Sequence, residues 1–148
     1  MSACDRCLRR AVLVAMLATR IAGLLNRPTT RAAGLLALPE PDLVAAVAGP
    51  HAESVLETLR TRDLRVDRRA CEQAGVAAVC RHSAAYPPLL EELADAPAVL
   101  FAAGRPEALA RLREEPSVAI VGTRNPSPYG VEVAHSLGRD LGAAGVPV

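Results

Sequence analysis

The residues best suited to chemistry lie in one segment, residues 117–130, which reads SVAIVGTRNPSPYG. An apolar run ends at Gly122 and is followed by Thr123 and Arg124. Glycine lets a phosphate approach the backbone closely, threonine supplies a hydroxyl, and arginine can hold phosphate oxygens through two parallel hydrogen bonds. The segment therefore predicts an anion site where a buried strand gives way to a helix.

The spacing of this segment excludes two common phosphate loops. It lacks the Gly-x-Gly-x-x-Gly pattern of dinucleotide-binding folds, and no Gly-Lys-Ser/Thr follows, as a Walker loop requires. Spacing alone leaves two interpretations open. One is a phosphate-binding loop, and the other is a structural turn between a strand and a helix.

The four cysteines predict no complete metal site. Cys4 and Cys7 have the spacing of half a zinc site, but the eight residues between Cys71 and Cys80 fit no standard second half. The histidines also lack a paired spacing: they are His51, His82 and His135. We expect buried or incidental thiols, with no metal and no cofactor.

Composition limits the class of protein. The 17 basic residues are all arginine, yet the net charge is only +1, so there is no overall basic footprint. The arginines at 60–69 alternate with acids, which predicts an ion-paired, exposed helix face. No spacing suggests a Ser-His-Asp or Cys-His site, so we expect no enzyme. No apolar run approaches the ~20 residues of a membrane span, and no export signal is evident, so we expect a cytoplasmic protein.

Two regions differ in their periodicity. Residues 1–75 predict short helices that begin at capping residues or prolines and end before Gly75. The expected apolar face of the first helix comprises Leu8, Val12, Ala15, Met16 and Ala22. Residues 76–148 alternate apolar runs with helical segments, which predicts a parallel sheet. The expected helices are 7–25, 29–38, 41–47, 50–62, 63–74, 106–113 and 128–144, and the expected strands 76–80, 98–101, 117–121 and one starting at 146.

The motif at 117–130 resembles the DNA-processing protein A family, called DprA or Smf, in which Val-Ala-Ile-Val-Gly-Ser/Thr-Arg precedes Tyr-Gly. The run from Tyr86-Pro87 to Gly104 is similar to a second motif of that family. The family resemblance implies an α/β fold with two domains. The first, 1–75, would be a small all-helical module like a sterile alpha motif, and the second, 76–148, a connector and the beginning of a Rossmann-like parallel sheet.

The resemblance also implies a function based on binding. Members of this family bind and protect single-stranded DNA and help to load the RecA recombinase during natural transformation. A homodimer is expected of full-length relatives but not of this chain. The residues carried over as a DNA- or phosphate-binding set are Gly122, Thr123, Arg124, Asn125, Tyr129 and Gly130.

Some residues depart from the family pattern. Ser83 replaces a frequent Asp, and Phe101 replaces a Tyr. The family's Ser-Gly-x-Ala-x-Gly-Ile-Asp segment is absent, so we expect a member truncated at its carboxyl end. Two alternatives remain, a nucleotide-processing enzyme similar to the LOG-type phosphoribohydrolases and an inactive gene fragment.

Overall fold

A computed structural model describes residues 3–26, 32–104, 109, 111–112 and 115–148. The chain divides into two compact units, Met1–Gly104 and Arg105–Val148. The boundary predicted between residues 75 and 76 thus falls inside the first unit. The elements are α1 (Asp5–Leu25), α2 (Ala32–Leu36), α3 (Glu40–Ala48), a 3-10 turn (Gly49–His51), α4 (Ala52–Thr61), α5 (Leu64–Gln73), β1 (Val76–Cys80), α6 (Pro88–Glu91), β2 (Val99–Ala103) and α7 (Pro128–Ala143).

The main core of the first unit lies between α1, α3 and α4. Its fully buried residues include Leu13, Leu17 and Leu43. Of the predicted face of α1, Leu8 is buried and Val12 packs partly against the core, but the rest is wrong because the buried stripe runs through Leu13, Leu17 and Ile21 and leaves Met16 exposed. The helix is rich in Ala, Leu and Val on every side, so its own periodicity does not select the face that the other helices cover.

Three arginines of α1 reach the carboxyl ends of other helices. Arg9 donates to the carbonyl of Leu59 at 3.0 Å, Arg10 to Leu36 at 2.8 Å and Arg20 to Ala48 at 3.1 Å. The last carbonyls of a helix have no partner inside the helix. A cation placed there also interacts favourably with the negative end of the helix dipole. These side chains therefore bind α2, α3 and α4 to the central helix.

The two strands form an antiparallel sheet, in which Val76 pairs with Ala103 and Cys80 with Val99. The predicted parallel arrangement is wrong for this pair. A parallel pair needs a crossover, usually a full helix, whereas residues 81–98 contain only the four-residue α6 and a series of turns. These turns bring the chain back so that β2 starts beside the end of β1. Both strands were expected from the sequence at nearly these bounds.

The second unit is built around α7. Ser127 caps this helix, its Oγ accepting from the Gly130 N–H at 3.2 Å, and Gly145 ends it with a φ of 79°. The strand predicted at 117–121 has no ladder in the part of the chain described, and neither has the segment from 146. One backbone hydrogen bond joins these segments, from the Val118 N–H to the Pro147 carbonyl at 3.0 Å. The Rossmann-like sheet is therefore not confirmed.

Most helix bounds in the first 75 residues differ from prediction by two residues or fewer. Asp63, expected as the first residue of its helix, is the N-cap of α5 and accepts from the Arg65 N–H, and Gly75 follows α5 with a φ of 64°. The start of the helix expected at 29–38, and most of the helix expected at 106–113, lie outside the described residues. In the described part of the chain, no helix is both long and apolar enough to span a membrane.

Candidate functional sites

The predicted phosphate loop is a turn that leads into α7. Arg124 and Asn125 form a bend, and the Asn125 N–H donates to the Thr123 hydroxyl oxygen at 3.3 Å. That bond uses an acceptor site of the hydroxyl and leaves its proton free to donate. The Ser127 cap then fixes the direction in which the helix starts.

Four of the six predicted binding residues line one open cavity of about 930 Å³ in the second unit: Gly122, Thr123, Tyr129 and Gly130. Arg124 and Asn125 are not among its lining residues and lie in the adjoining turn. His135 and Arg139 line it as well, and the sequence interpretation did not include them. Arg139 contacts Asp140 at 3.1 Å, so part of its charge is already balanced.

Arg124 is exposed and makes no hydrogen bond or ion pair with the described residues. The arginines of the 60–69 cluster differ, as predicted. Arg60 pairs with Glu57 at 2.8 Å and Arg65 with Asp63 at 2.9 Å. Arg124 is therefore available to an anionic ligand.

The two glycines of the predicted set are not required by packing. A Cβ at Gly122 would meet no atom within 4 Å, and at Gly130 it would make ordinary contacts of 3.6 Å. Neither has the positive φ that favours glycine. The open space beside Gly122 leaves room for a ligand to reach the backbone N–H groups.

A second basic cavity lies in the first unit. It measures about 620 Å³ and is lined by four arginines together with His82. Burial lowers the pKa of Arg10, an effect that the nearby Glu40 carboxylate opposes. The arginines are Arg6, Arg9, Arg10 and Arg81. Sequence reasoning missed this cavity, since Arg81 is far from the others along the chain.

Three cysteines and one histidine converge at the start of α1 and the end of β1. Cys4 is the N-cap residue of α1 and Cys7 lies in its first turn, whereas Cys80 ends β1 and His82 follows it. The three Sγ atoms and one ring nitrogen of His82 all lie within 4.8 Å of one another. His82 Nδ1 is 3.4 Å from both Cys4 Sγ and Cys7 Sγ.

The cluster perturbs its own thiols. Burial, together with the neighbouring Cys4, raises the pKa of Cys7 to about 12. Burial also acts to raise the pKa of Cys80, but hydrogen bonds from the backbone N–H groups of Cys4 and His82 lower it below its usual value. Cys80 is therefore the sulfur that the surrounding backbone best prepares to carry negative charge.

The sequence indicated Cys4 and Cys7 as half of a zinc site, but the only second half considered was Cys71 with Cys80, and its spacing argued against a metal. Cys71 is not part of the group. His82 was set aside because the three histidines have no paired spacing, although Cys80 ends β1 and His82 lies only two positions later. Only the packing of α1 against the strand pair brings the two halves together.

Comparisons with known proteins agree with the motifs in residues 77–148. The sequence profile of the DNA recombination-mediator protein A family matches these residues. The DNA processing protein DprA of Bacillus subtilis (strain 168) is 38% identical over 72 residues, which are 49% of this chain and 23% of that protein. The chain thus matches under a quarter of that relative's length. No solved structure matches significantly. Residues 77–148 are thus similar in sequence to the DNA recombination-mediator protein A family.

Proposed function

We propose that this chain binds single-stranded DNA through the turn at 122–125 and serves as a recombination accessory protein. The family match supports a DNA-processing role in recombination. The observation that carries the proposal is Arg124, an exposed arginine without a partner among the described residues, beside the capped start of α7. Its guanidinium would hold a backbone phosphate that also approaches the backbone at Gly122.

Tyr129 supplies a second kind of contact. Its side chain is 75% exposed and lines the same cavity as Gly122 and Thr123. Aromatic rings on a surface stack unpaired bases with little preference for sequence. The combination of phosphate contact and stacking favours single strands over duplex DNA, whose bases are already stacked.

The finer parts of the proposal follow from the resemblance to DprA. The protein would act in the cytoplasm, bind rather than transform its DNA, and assist the RecA recombinase in natural transformation. Residues 117–148 would form the first strand-helix-strand unit of a Rossmann-like sheet. The hydrogen bond between Val118 and Pro147 supports this, since it joins the segments on either side of α7.

The test is binding of a fluorescent oligo-dT by anisotropy, with the chain and its Arg124→Ala variant. We expect the variant to bind about ten-fold more weakly, because a charge-assisted contact is worth about 1.5 kcal/mol. The matched control is Arg60→Ala, which removes the same charge from an exposed residue paired with Glu57. The control should bind as the unmodified chain does.

Three results would contradict the proposal. Equal binding by the chain and Arg124→Ala would remove this residue from the site. Weak binding by Arg6→Ala with normal binding by Arg124→Ala would place the DNA at the basic cavity of the first unit instead. Tighter binding to duplex than to oligo-dT would exclude single strands as the preferred ligand.

A further inference from the structure

The Cys-His cluster has the dimensions of a zinc site. Bond lengths of about 2.3 Å to sulfur and about 2.1 Å to nitrogen give a tetrahedron with sulfur–nitrogen edges of about 3.6 Å. The two measured sulfur–nitrogen distances are 3.4 Å, between His82 Nδ1 and the sulfurs of Cys4 and Cys7. All the ligand atoms lie within 4.8 Å of one another, so small side-chain rotations complete the tetrahedron.

The ligands come from two rigid pieces of chain that are distant in sequence. Cys7 and His82 are 75 positions apart. The Cys-x-x-Cys pair sits on the first turn of α1, where the helix dipole favours negative charge, and the Cys-x-His pair sits at the end of a strand. A tetrahedron of three thiolates and one imidazole around Zn²⁺ would carry one net negative charge, which suits that helix end.

The surroundings orient these ligands. Arg68 donates to the Ala3 carbonyl at 2.6 Å and contacts Asp5 at 2.5 Å, which fixes the chain on both sides of Cys4. Outer contacts of this kind hold ligands in place around structural metals.

The burial of these side chains fits a metal site better than an accidental cluster of thiols. Cys7 and Cys80 are 3% and 4% exposed, whereas Cys4 and His82 are exposed, so the cluster has an inner wall and an open entrance. All the cysteines are free thiols. A disulfide would use only two of the sulfurs, while a tetrahedral metal uses every ligand atom present.

We propose that Cys4, Cys7, Cys80 and His82 bind one structural Zn²⁺ ion that clamps the start of α1 to the end of β1. Four protein ligands leave no open coordination position, so the ion would have a structural role and no catalytic one. Closing a loop between distant positions opposes unfolding, and the free energy of metal binding adds to the free energy of folding.

The test is metal analysis of the full chain, purified without a histidine tag and without added metal. We expect about one zinc per chain, and less than about a tenth of that in Cys7→Ser and His82→Ala. Cys71→Ser is the matched control, because Cys71 is outside the cluster, and it should keep its zinc. If Cys7→Ser fails to fold, Cys4→Ser at the exposed ligand replaces it.

A second measurement uses the unmodified chain alone. Adding a zinc chelator should lower its melting temperature, and Co²⁺ should then restore it while giving the absorption of tetrahedral cobalt–thiolate. Four results would overturn the proposal: no zinc in the unmodified chain, stoichiometric iron or copper instead, zinc retained by His82→Ala, or zinc lost from Cys71→Ser. A chelator that leaves the melting temperature unchanged would also contradict it.

Discussion

At the scale of single residues, Tyr86 is both buried and hydrogen-bonded. Its ring is 2% exposed, and its hydroxyl donates to the Pro97 carbonyl at 2.7 Å, across the turns that connect the two strands. Burial raises the pKa of this phenol, because the phenolate would lose its water. The neutral form is therefore the one that the folded protein accommodates.

Tyr86→Phe should lower the free energy of unfolding by about 1 kcal/mol at neutral pH, the usual net value of one hydrogen bond. The folded pKa lies above the unfolded value of about 10, so the contribution of Tyr86 is complete below that pH and is lost as pH rises through the folded pKa. The difference between the two chains should therefore shrink in alkaline solution. Urea unfolding at neutral and alkaline pH measures it.

Tyr129→Phe is the control for this experiment, since its ring is 75% exposed. It should unfold with the same free energy as the unmodified chain at neutral pH. A difference between Tyr86→Phe and the unmodified chain that grows with pH would contradict the assigned role of burial.

At the scale of elements, α1 is the centre of the first unit. Three of its arginines donate to carbonyls at the ends of three other helices, and Arg10 is half-buried while doing so. Arg10→Ala should therefore lower the free energy of unfolding by about 1–2 kcal/mol, through the lost charge-assisted hydrogen bond and the unsatisfied Leu36 carbonyl.

Arg6→Ala removes the same charge from an exposed position of the same helix, and it should leave the free energy of unfolding within about 0.5 kcal/mol of the unmodified value. Chemical denaturation of both variants tests the difference. Equal losses would mean that Arg10 acts through net charge and not through its bond to Leu36.

The helices of both units are largely predictable because local signals set their ends. Asp63 and Ser127 cap helices, and Gly75 and Gly145 adopt positive φ where helices stop. The strands are visible as short apolar runs. Their antiparallel pairing, however, depends on how residues 81–98 turn, and no local periodicity encodes that.

The two candidate sites also differ in how far the sequence alone predicts them. The loop at 122–125 is continuous in sequence, so its residue types point to an anion. The metal cluster is not continuous, and Cys71 is as plausible a partner as His82 until α1 and β1 are packed together. Tertiary contacts decide which cysteines meet.

At the scale of the whole molecule, the two units differ in burial. The first contains the buried core around Leu13, Leu17 and Leu43. In the second, α7 has no buried residue, and apolar side chains such as Val121 and Leu137 are 89% and 47% exposed. Apolar surface removed from water is the main source of stability, so the first unit should be the more stable.

Hydrogen exchange should show this difference. We expect the amides of α1 and α3 to exchange at least about a hundred-fold more slowly than those of α7, because sub-global opening needs less free energy where little surface is buried. Mass spectrometry of peptides from both units measures the rates. Equal protection of the amides in α7 and α1 would contradict the lower stability expected of the second unit.

The measurement that tests the central claim most directly is the salt dependence of oligo-dT binding, for the chain and for Arg124→Ala. Each phosphate contact with a single strand contributes about −0.7 to the slope of log affinity against log salt concentration. We expect the variant's slope to be shallower by about that amount, while Arg60→Ala keeps the original slope. Identical slopes for the chain and Arg124→Ala would show that Arg124 does not hold a phosphate.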